Sequence, residues 1–358
     1  MVEKCPRNYV LKEPDSSSQP KVSVLITTYN QENLITQTVD SVLMQIVDFD
    51  YEIVIGEDAS SDRTREIVME LARQHPEKIR VLLRDPEVAN RERHLSGKMN
   101  FLQALQSCRG EYIAILDGDD YFTSPHKLQK QVDFLDAHPE CMICFHNVRA
   151  VYADDSQGVE NLCREDQKEI TDIEQLLWGN YIPSCSIMHR REPVLQLPDW
   201  FFTAKVGDWP LNIFRAQFGK IGYLNEVLSA YRVHAAGAWS LRKRSHQLVN
   251  SIKILDNIDK DLGFKYSATI RGAKARFLFE LAEFYLQSGH ARFALVPVTR
   301  ALRLSRGRHE GIVKLWLRLQ MPTVYRAFRT LRAIVRASSL CNLCVLCVSV
   351  VNLIDGKH

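Results

Sequence analysis

The sequence predicts an α/β fold, with a mostly parallel sheet flanked by helices and an all-α carboxyl-terminal region after it. Two observations predict it. From Val22 onward, short β-rich runs alternate with segments of helical periodicity, which is typical of stacked βαβ units. Beyond about residue 243, only helical periodicity remains. We therefore expect an amino-terminal tail over residues 1–20, a sheet domain over residues 21–242 and a helical region over residues 243–358.

The elements of the sheet domain follow in chain order. Four strands are predicted at VSVLIT (22–27), EIVIGED (52–58), IRVLLR (79–84) and EYIAIL (111–116). The helix before the third strand ends at His75-Pro76, because proline disfavours the helical conformation in the residue that precedes it. A helix after Pro125 and the strand CMICFHNV come next. The polar, aperiodic residues 152–170 are expected to form a loop.

The overall composition excludes some classes of function. The formal net charge is only +3, without the basic excess typical of nucleic-acid-binding chains, so we expect no nucleic-acid partner. No apolar run interrupts the charged, proline and serine residues of 1–20, which argues against a secretory signal or an anchor there. Nine scattered cysteines suit a reducing compartment. These features predict a cytoplasmic protein.

The carboxyl-terminal region carries a basic stretch beside an apolar one. Residues 306–336 are rich in arginine, and residues 339–354 are apolar but shorter than the roughly 20 residues that span a bilayer. Two interpretations remain open. The pair lies on anionic lipid at the cytoplasmic face of a membrane, or it forms a last core helix with a solvated basic neighbour. The helical region is also where we expect contacts between copies in a homo-oligomer.

Polar side chains cluster where three predicted strands end. The carboxyl ends of parallel strands form the crevice in which open α/β sheets bind ligands. The strand ends are followed by Thr27-Thr28-Tyr29-Asn30, Glu57-Asp58-Ala59-Ser60 and Asp117-Gly118-Asp119-Asp120. The last run places carboxylates side by side at a tight turn, where a divalent cation and substrate phosphates would relieve their repulsion. The alternative is an acidic turn without a ligand.

Three ordered motifs resemble the inverting family 2 glycosyltransferases, whose fold is a GT-A type, Rossmann-like mixed sheet flanked by helices. The motifs are VSVLITTYNQENLITQTVDSVLMQ, IGEDASSDRT and GEYIAILDGDDYFTSPHKL. The likeness covers residues 21–234, including the later GDW and YRVH runs. Most relatives have Asp-Asp-Gly-Ser where this sequence has Glu57-Asp58-Ala59-Ser60. Asp58 keeps the position that contacts uracil in the family, so the difference bears on the identity of the base.

The resemblance implies a role for each matching residue. The nucleotide pocket would be lined by Thr27, Tyr29, Asp58 and Asp117, and Asp119 would bind Mn²⁺ or Mg²⁺. Asp117 would touch either the ribose or the metal ion. Asp208, in Gly207-Asp208-Trp209, would be the general base, and its alternative role is a helix cap before Pro210. Contacts to the diphosphate or the sugar are expected from Lys98, Asn100, Asp120, Arg232 and His234, with His94 as a further candidate.

The implied activity is transfer of a sugar, with inversion, from a nucleotide diphosphate donor to a hydroxyl group. The expected donor is a UDP-sugar, and the expected acceptor is a saccharide or lipid-linked glycan in cell-surface polysaccharide or glycan synthesis. A nucleotidyltransferase is disfavoured, because TTYNQEN lacks the glycine-rich phosphate loop that such enzymes use. A non-catalytic nucleotide-binding module with a helical, partner-binding tail remains the alternative.

Overall fold

The chain divides into two compact units, Met1–Leu241 and Arg242–His358. The computed structural model describes residues 9–11, 19–92, 95, 97–152, 156, 158–193, 196–233, 243–307 and 309–320. The first unit contains the sheet, and the second unit is helical over its described residues.

Within the described part of the first unit, ten strands form one sheet. Their bounds are β1 Tyr9–Leu11, β2 Val22–Thr28, β3 Tyr51–Glu57, β4 Ile79–Arg84, β5 Tyr112–Asp117, β6 Tyr121–Phe122, β7 Cys141–Tyr152, β8 Ile170–Thr171, β9 Met188–Arg190 and β10 Lys220–Val233. Their order is β1-β4-β3-β2-β5-β9-β7-β10-β6, and β8 pairs with β10. The four strands predicted in the first half are confirmed to within one residue at each end.

The sheet is parallel at its centre and mixed on both sides, as in the GT-A fold. Strands β4, β3, β2 and β5 run parallel, so their carboxyl ends meet at one edge. Strand β9 runs antiparallel between β5 and β7, and β10 runs parallel to β7. Strand β1 pairs antiparallel with β4, inside the segment expected to be a tail. Its three residues are too short to show a periodic pattern.

Helices cover both faces of the central strands. Those of the first unit are α1 Ile35–Leu43, α2 Thr64–Gln74, α3 Pro86–Glu92, α4 Lys98–Ser107, α5 Lys127–Ala137, α6 Ile173–Leu177, α7 Asp199–Thr203 and α8 Asp208–Arg215. Successive strand residues point to opposite faces, so Val24 and Ile26 join one buried cluster with Val39 of α1. Leu25 joins a second cluster with Ala104 of α4. The central strands are therefore buried on both faces, which explains their continuous apolar runs.

The second unit consists of helices over its described residues. They are α9 Arg244–Asp261, α10 Ser267–Gln287, α11 Ala291–Ser305 and α12 Glu310–Gln320. Helices α10 and α11 are joined by a short turn at Gly289, whose φ of +78° suits glycine. Pro297 lies inside α11 without ending it. Among the described residues, no helix is long and apolar enough to cross a bilayer.

Several predictions of the sequence fall outside the described residues. They concern His94, His234, the apolar residues 339–354 and most of the basic stretch 306–336. The expected loop over residues 152–170 is described only in part. Its described residues 156 and 158–169 contain no helix or strand, as expected, whereas its end residues Tyr152 and Ile170 belong to β7 and β8.

We expect Gly222→Ala to destabilise the first unit. A Cβ atom at Gly222 on β10 would overlap the ring of Phe134 on α5, which packs directly on the strand backbone. Overpacking of this kind typically costs about 1–3 kcal/mol of unfolding free energy, measurable by denaturant titration. Adding Phe134→Leu should recover part of the loss, because the two side chains would then share the space. Equal losses in the single and double variants would contradict this account.

Candidate active site

The carboxyl ends of β2, β3 and β5 bring several predicted site residues together. Thr27 pairs with Asp117 in the register of β2 and β5, and its hydroxyl donates to the Asp117 carboxylate at 3.3 Å. The Asp58 backbone N–H donates to the carbonyl of Thr28 at 3.0 Å. Tyr29 follows at the same edge with 38% of its surface exposed. The four residues expected to line the nucleotide pocket therefore share one rim.

The loops after β2 and β3 are joined by side-chain hydrogen bonds. Asn30 accepts from the backbone N–H of Ser61 at 2.8 Å, and the Asn30 N–H donates to the Ser60 hydroxyl at 3.0 Å. Asn30 and Ala59 both have a positive φ, 53° and 57° respectively. Ala59 thus adopts, with an L side chain, a left-handed conformation that glycine takes most readily. These contacts fix the chain on either side of Tyr29 and Asp58.

The Asp58 carboxylate is held by an arginine. Arg84, only 2% exposed at the end of β4, donates from Nη1 to Asp58 Oδ1 at 2.7 Å. Its other terminal nitrogen donates to Glu92 of α3. A guanidinium buried between two carboxylates has little rotational freedom. Asp58 is therefore presented at the rim in a fixed orientation.

A tight turn follows β5 and carries the three neighbouring aspartates. The Gly118 N–H donates to the Thr27 carbonyl at 2.9 Å, and the Thr38 hydroxyl contacts the carbonyls of Gly118 and Asp120 at 2.9 and 2.8 Å. A Cβ atom at Gly118 would overlap Thr28 and Gln31, so the turn requires glycine. This packing holds the turn against β2 and α1.

Asp120 points into the protein rather than toward the rim. It is 1% exposed, and its Oδ1 accepts from the backbone N–H of Arg232 at 2.8 Å. Burial, followed by the charges of Asp119 and Asp117, raises its pKa well above the usual carboxyl value. A contact from Asp120 to diphosphate or sugar was expected. The structure instead gives it a role in joining the turn to β10.

The pKa of Asp117 is raised mainly by burial and then by the neighbouring carboxylates. Burial raises the pKa of Asp117 to about 6, with further increases from the charges of Asp119 and Asp208. Hydrogen bonds with the hydroxyls of Ser184 and Thr27 act in the opposite direction. Nearby like charges disfavour the ionised form, whereas an added cation would favour it.

The donor set fits a divalent cation that arrives with phosphate oxygens. In the described residues, no group of three or more His, Cys, Asp or Glu side chains is arranged to hold a metal ion by itself. Asp117 and Asp119 supply two carboxylates, and Mg²⁺ sites often combine one or two carboxylates with substrate phosphates. These two residues would therefore hold an ion jointly with a bound diphosphate.

Asp208 is the first residue of α8. It lies close enough to Asp117 for its charge to raise the pKa of Asp117. Burial raises the pKa of Asp208 itself, against opposing hydrogen bonds from the Trp209 N–H and from Asn180, and against the charge of Lys98. The Asn180 amide donates to Asp208 Oδ2 at 2.7 Å. The predicted base thus shares an electrostatic environment with the predicted metal ligands.

Lys98 and Asn100 begin α4 but differ in placement. Lys98 donates to the carbonyl of Ala204, and its charge acts on Asp208. Asn100 is buried, and its amide donates to the carbonyl of Gly56 at 2.8 Å. Its side chain therefore attaches α4 to β3. The expected sugar or phosphate contact from Asn100 would require that hydrogen bond to break.

Arg232 is also engaged by the protein. Its Nη1 donates to the carbonyl of Asp119 at 2.7 Å, and Nη2 donates to Gln37. The guanidinium lies 4.7 Å from the ring centroid of Tyr121. Arg232 was expected to contact diphosphate, and the structure places it beside the aspartate turn, where it clamps the backbone that carries Asp119.

Two residues near the site had no signal in the sequence. Ser184 lies close enough to Asp117 to lower its pKa, and Asn180 hydrogen bonds with Asp208. Both lie in a segment without regular periodicity between α6 and β9. They approach the aspartates through tertiary packing, so no spacing rule could have identified them.

Comparison with known proteins assigns the family. Residues 23–192 match the sequence model described as Glycosyl transferase family 2. An uncharacterized Mycobacterium tuberculosis protein, Rv1520, is 36% identical over 218 residues, which are 61% of this chain and 60% of that protein. TuaG of Bacillus subtilis, provisionally named a teichuronic acid biosynthesis glycosyltransferase, is 27% identical over 66% of this chain and 90% of its own length. On this match, residues 23–192 form a glycosyl transferase family 2 domain.

A solved structure supports the fold. The mannosyltransferase PcManGT from Pyrobaculum calidifontis, in complex with GDP-Man and Mn²⁺, aligns with a TM-score of 0.51 and 20% identity. The alignment covers 92% of this chain and 89% of that one. At this identity the likeness concerns the fold alone. The chain spans only about 60% of the length of the mycobacterial relative.

We expect Asp117→Asn to stabilise the protein when no divalent cation is present. The folded-state pKa of about 6 lies above the ordinary 3.8, so ionisation of Asp117 opposes folding. The penalty is absent below the ordinary value, grows as the pH rises and is complete above the folded value. Denaturant titration in chelator at pH 7.5 should therefore show a gain of about 1–3 kcal/mol.

The same variant should show little gain at pH 4. Asp133→Asn, an exposed change on α5, serves as the control and should be neutral at both values. A gain for Asp117→Asn that did not depend on pH would rule out carboxylate crowding as its cause.

Proposed function

We propose that the first unit is an inverting, metal-assisted glycosyltransferase that moves a sugar from a nucleotide diphosphate donor to an acceptor hydroxyl. The observation that carries this proposal is the placement of Asp208 within electrostatic reach of Asp117, at the rim that also holds Asp58 and Asp119. Displacement at an anomeric carbon needs a proton acceptor on one side and stabilisation of the leaving group on the other. The site offers an anionic group for each task.

The donor occupies the rim at the ends of β2, β3 and β5. Tyr29 and Thr27 line the nucleotide pocket, and the fixed carboxylate of Asp58 accepts hydrogen bonds from the base or ribose. Asp117 and Asp119 are the residues that would hold Mn²⁺ or Mg²⁺. Such an ion would supply charge stabilisation to the departing diphosphate. The Arg232 clamp keeps the Asp119 backbone in place for that contact.

Asp208 acts from the acceptor side. It removes the proton of the acceptor hydroxyl as the oxygen bonds to the anomeric carbon, while the bond from that carbon to the diphosphate oxygen breaks. A single displacement of this kind inverts the anomeric configuration. The raised pKa of Asp208 suits the task, because a base is most effective when its pKa approaches the working pH.

The substrate classes follow from chemistry and from relatives. A saccharide or lipid-linked glycan is the proposed acceptor, in keeping with the teichuronic acid role named for TuaG. The archaeal mannosyltransferase binds GDP-Man and Mn²⁺, which are a donor and an ion of the classes proposed here. A UDP-sugar is our preferred donor. A screen of UDP- and GDP-sugars for nucleotide release would test the proposal, and binding without turnover would favour a non-catalytic nucleotide-binding module.

We expect Asp208→Asn to abolish transfer while leaving nucleotide affinity unchanged. The amide keeps the size of the side chain but cannot accept the proton, and a positioned base typically contributes about 10²- to 10⁴-fold to the rate. Turnover and UDP affinity should be measured on the same preparation. Asp199→Asn, at the exposed start of α7, is the matched control and should behave as wild type. Near-normal turnover of Asp208→Asn would assign the base role to another residue.

We expect Asp119→Ala to weaken UDP binding only when Mn²⁺ or Mg²⁺ is present. The carboxylate binds the nucleotide through the ion, so its loss removes a bridge that exists only in the metal-bound complex. Calorimetric titration of UDP into the variant and into wild type, once with Mn²⁺ and once with chelator, measures whether the loss of affinity depends on the ion. Asp133→Ala is the control for removal of an aspartate. The same loss of affinity in chelator would contradict direct ligation by Asp119.

A further inference from the structure

The segment from Leu176, near the end of α6, to Ile182 is attached to the start of α8 at two points. The indole N–H of Trp209 donates to the carbonyl of Leu176 at 2.9 Å, and the Asn180 amide donates to Asp208 Oδ2 at 2.7 Å. Between these points the chain turns at Gly179, whose φ of +155° favours glycine. These two attachments hold the backbone of Asn180 beside Asp208.

The orientation of the Asn180 side chain is set by its second hydrogen bond. Its Oδ1 accepts from the backbone N–H of Ile182 at 3.3 Å, so Nδ2 must be the atom that faces Asp208. An amide held at both ends can donate in only one direction. The bond to an ionised carboxylate is also of the stronger, charge-assisted kind.

We propose that Asn180 is a positioning residue for Asp208, whose amide fixes the plane of the carboxylate so that one lone pair faces the acceptor hydroxyl. This inference rests on the proposed function, in which Asp208 is the base. A carboxylate offers about four acceptor positions. The Asn180 amide and the backbone N–H groups at the start of α8 occupy some of them. The amide thus selects which position stays open to substrate.

Asn180→Asp is the sharpest test. The replacement is nearly isosteric and keeps an oxygen that can accept from the Ile182 N–H, but it removes the donor that faces Asp208. The replacement also places a second carboxylate beside Asp208, so Asn180→Ala, which removes the same donor without adding charge, is measured alongside it. A positioning role predicts that kcat falls at least about 10-fold in both variants, because small misplacements of reacting groups have large effects on rate.

The full-length chain should be assayed with Mn²⁺ and the UDP- or GDP-sugar that wild type turns over fastest, with nucleotide release as the readout. We expect Asn180→Asp and Asn180→Ala to lower kcat, with donor KM, UDP affinity and the thermal unfolding midpoint all near wild type. Asn225→Ala, an exposed asparagine on β10, is the control and should not change kcat.

The outcomes distinguish this inference from the proposed function. If both Asn180 variants turn over at the wild-type rate, the positioning role is wrong and the transferase proposal still stands. A loss of UDP affinity or of the unfolding midpoint that equals the loss of kcat would assign Asn180 a structural role instead. Absence of turnover in wild type with every donor would overturn both proposals.

Discussion

The crowding of ionised carboxylates at the carboxyl end of β5 is the constraint on which the site depends. The parallel register of β2 and β5 places Asp117 beside Thr27, and the turn after β5 adds Asp119 a short distance away. Asp208 approaches from the start of α8, and its charge adds to the repulsion. The fold holds these groups together at a cost in stability. A cation bound with a diphosphate would convert that cost into affinity, which makes the arrangement suited to an anionic, metal-bound ligand.

The opposite end of the same strands shows that the sheet can compensate buried carboxylates fully. Glu52, at the start of β3, is buried, and burial alone would raise its pKa. Hydrogen bonds from Ser23, from the Arg109 N–H and from Arg80 outweigh that effect and lower the pKa of Glu52 overall. Asp58 is similarly matched by Arg84. Asp117 is instead hydrogen-bonded by the hydroxyl of Thr27 and its pKa is raised, so the contrast within one sheet points to a ligand-binding purpose for its excess charge.

The sequence predicted the strands and the rim because both depend on local patterns. Continuous apolar runs mark strands buried on both faces, and Asp117 follows one such run directly. The roles of Asn100 and Arg232 were harder to predict, because each is set by contacts with a distant segment. Asn100 contacts Gly56. Arg232 contacts Asp119 and Gln37. Asn180 and Ser184 had no signal for the same reason. Periodicity fixes the face on which a side chain lies, whereas tertiary packing decides which atom it meets.

The position of Asp208 at the start of a helix allows two roles to be weighed against each other. An aspartate that serves only as a helix cap gains stabilisation from backbone N–H groups and from the helix dipole, both of which lower its pKa. Those N–H contacts are present at Asp208, together with the amide of Asn180 and the charge of Lys98. Burial nevertheless outweighs all of them, and the pKa of Asp208 is raised. A cap has no need of such desolvation. A base benefits from it, because a carboxylate with a raised pKa accepts a proton more readily, and the raised pKa is therefore compatible with the role proposed for Asp208.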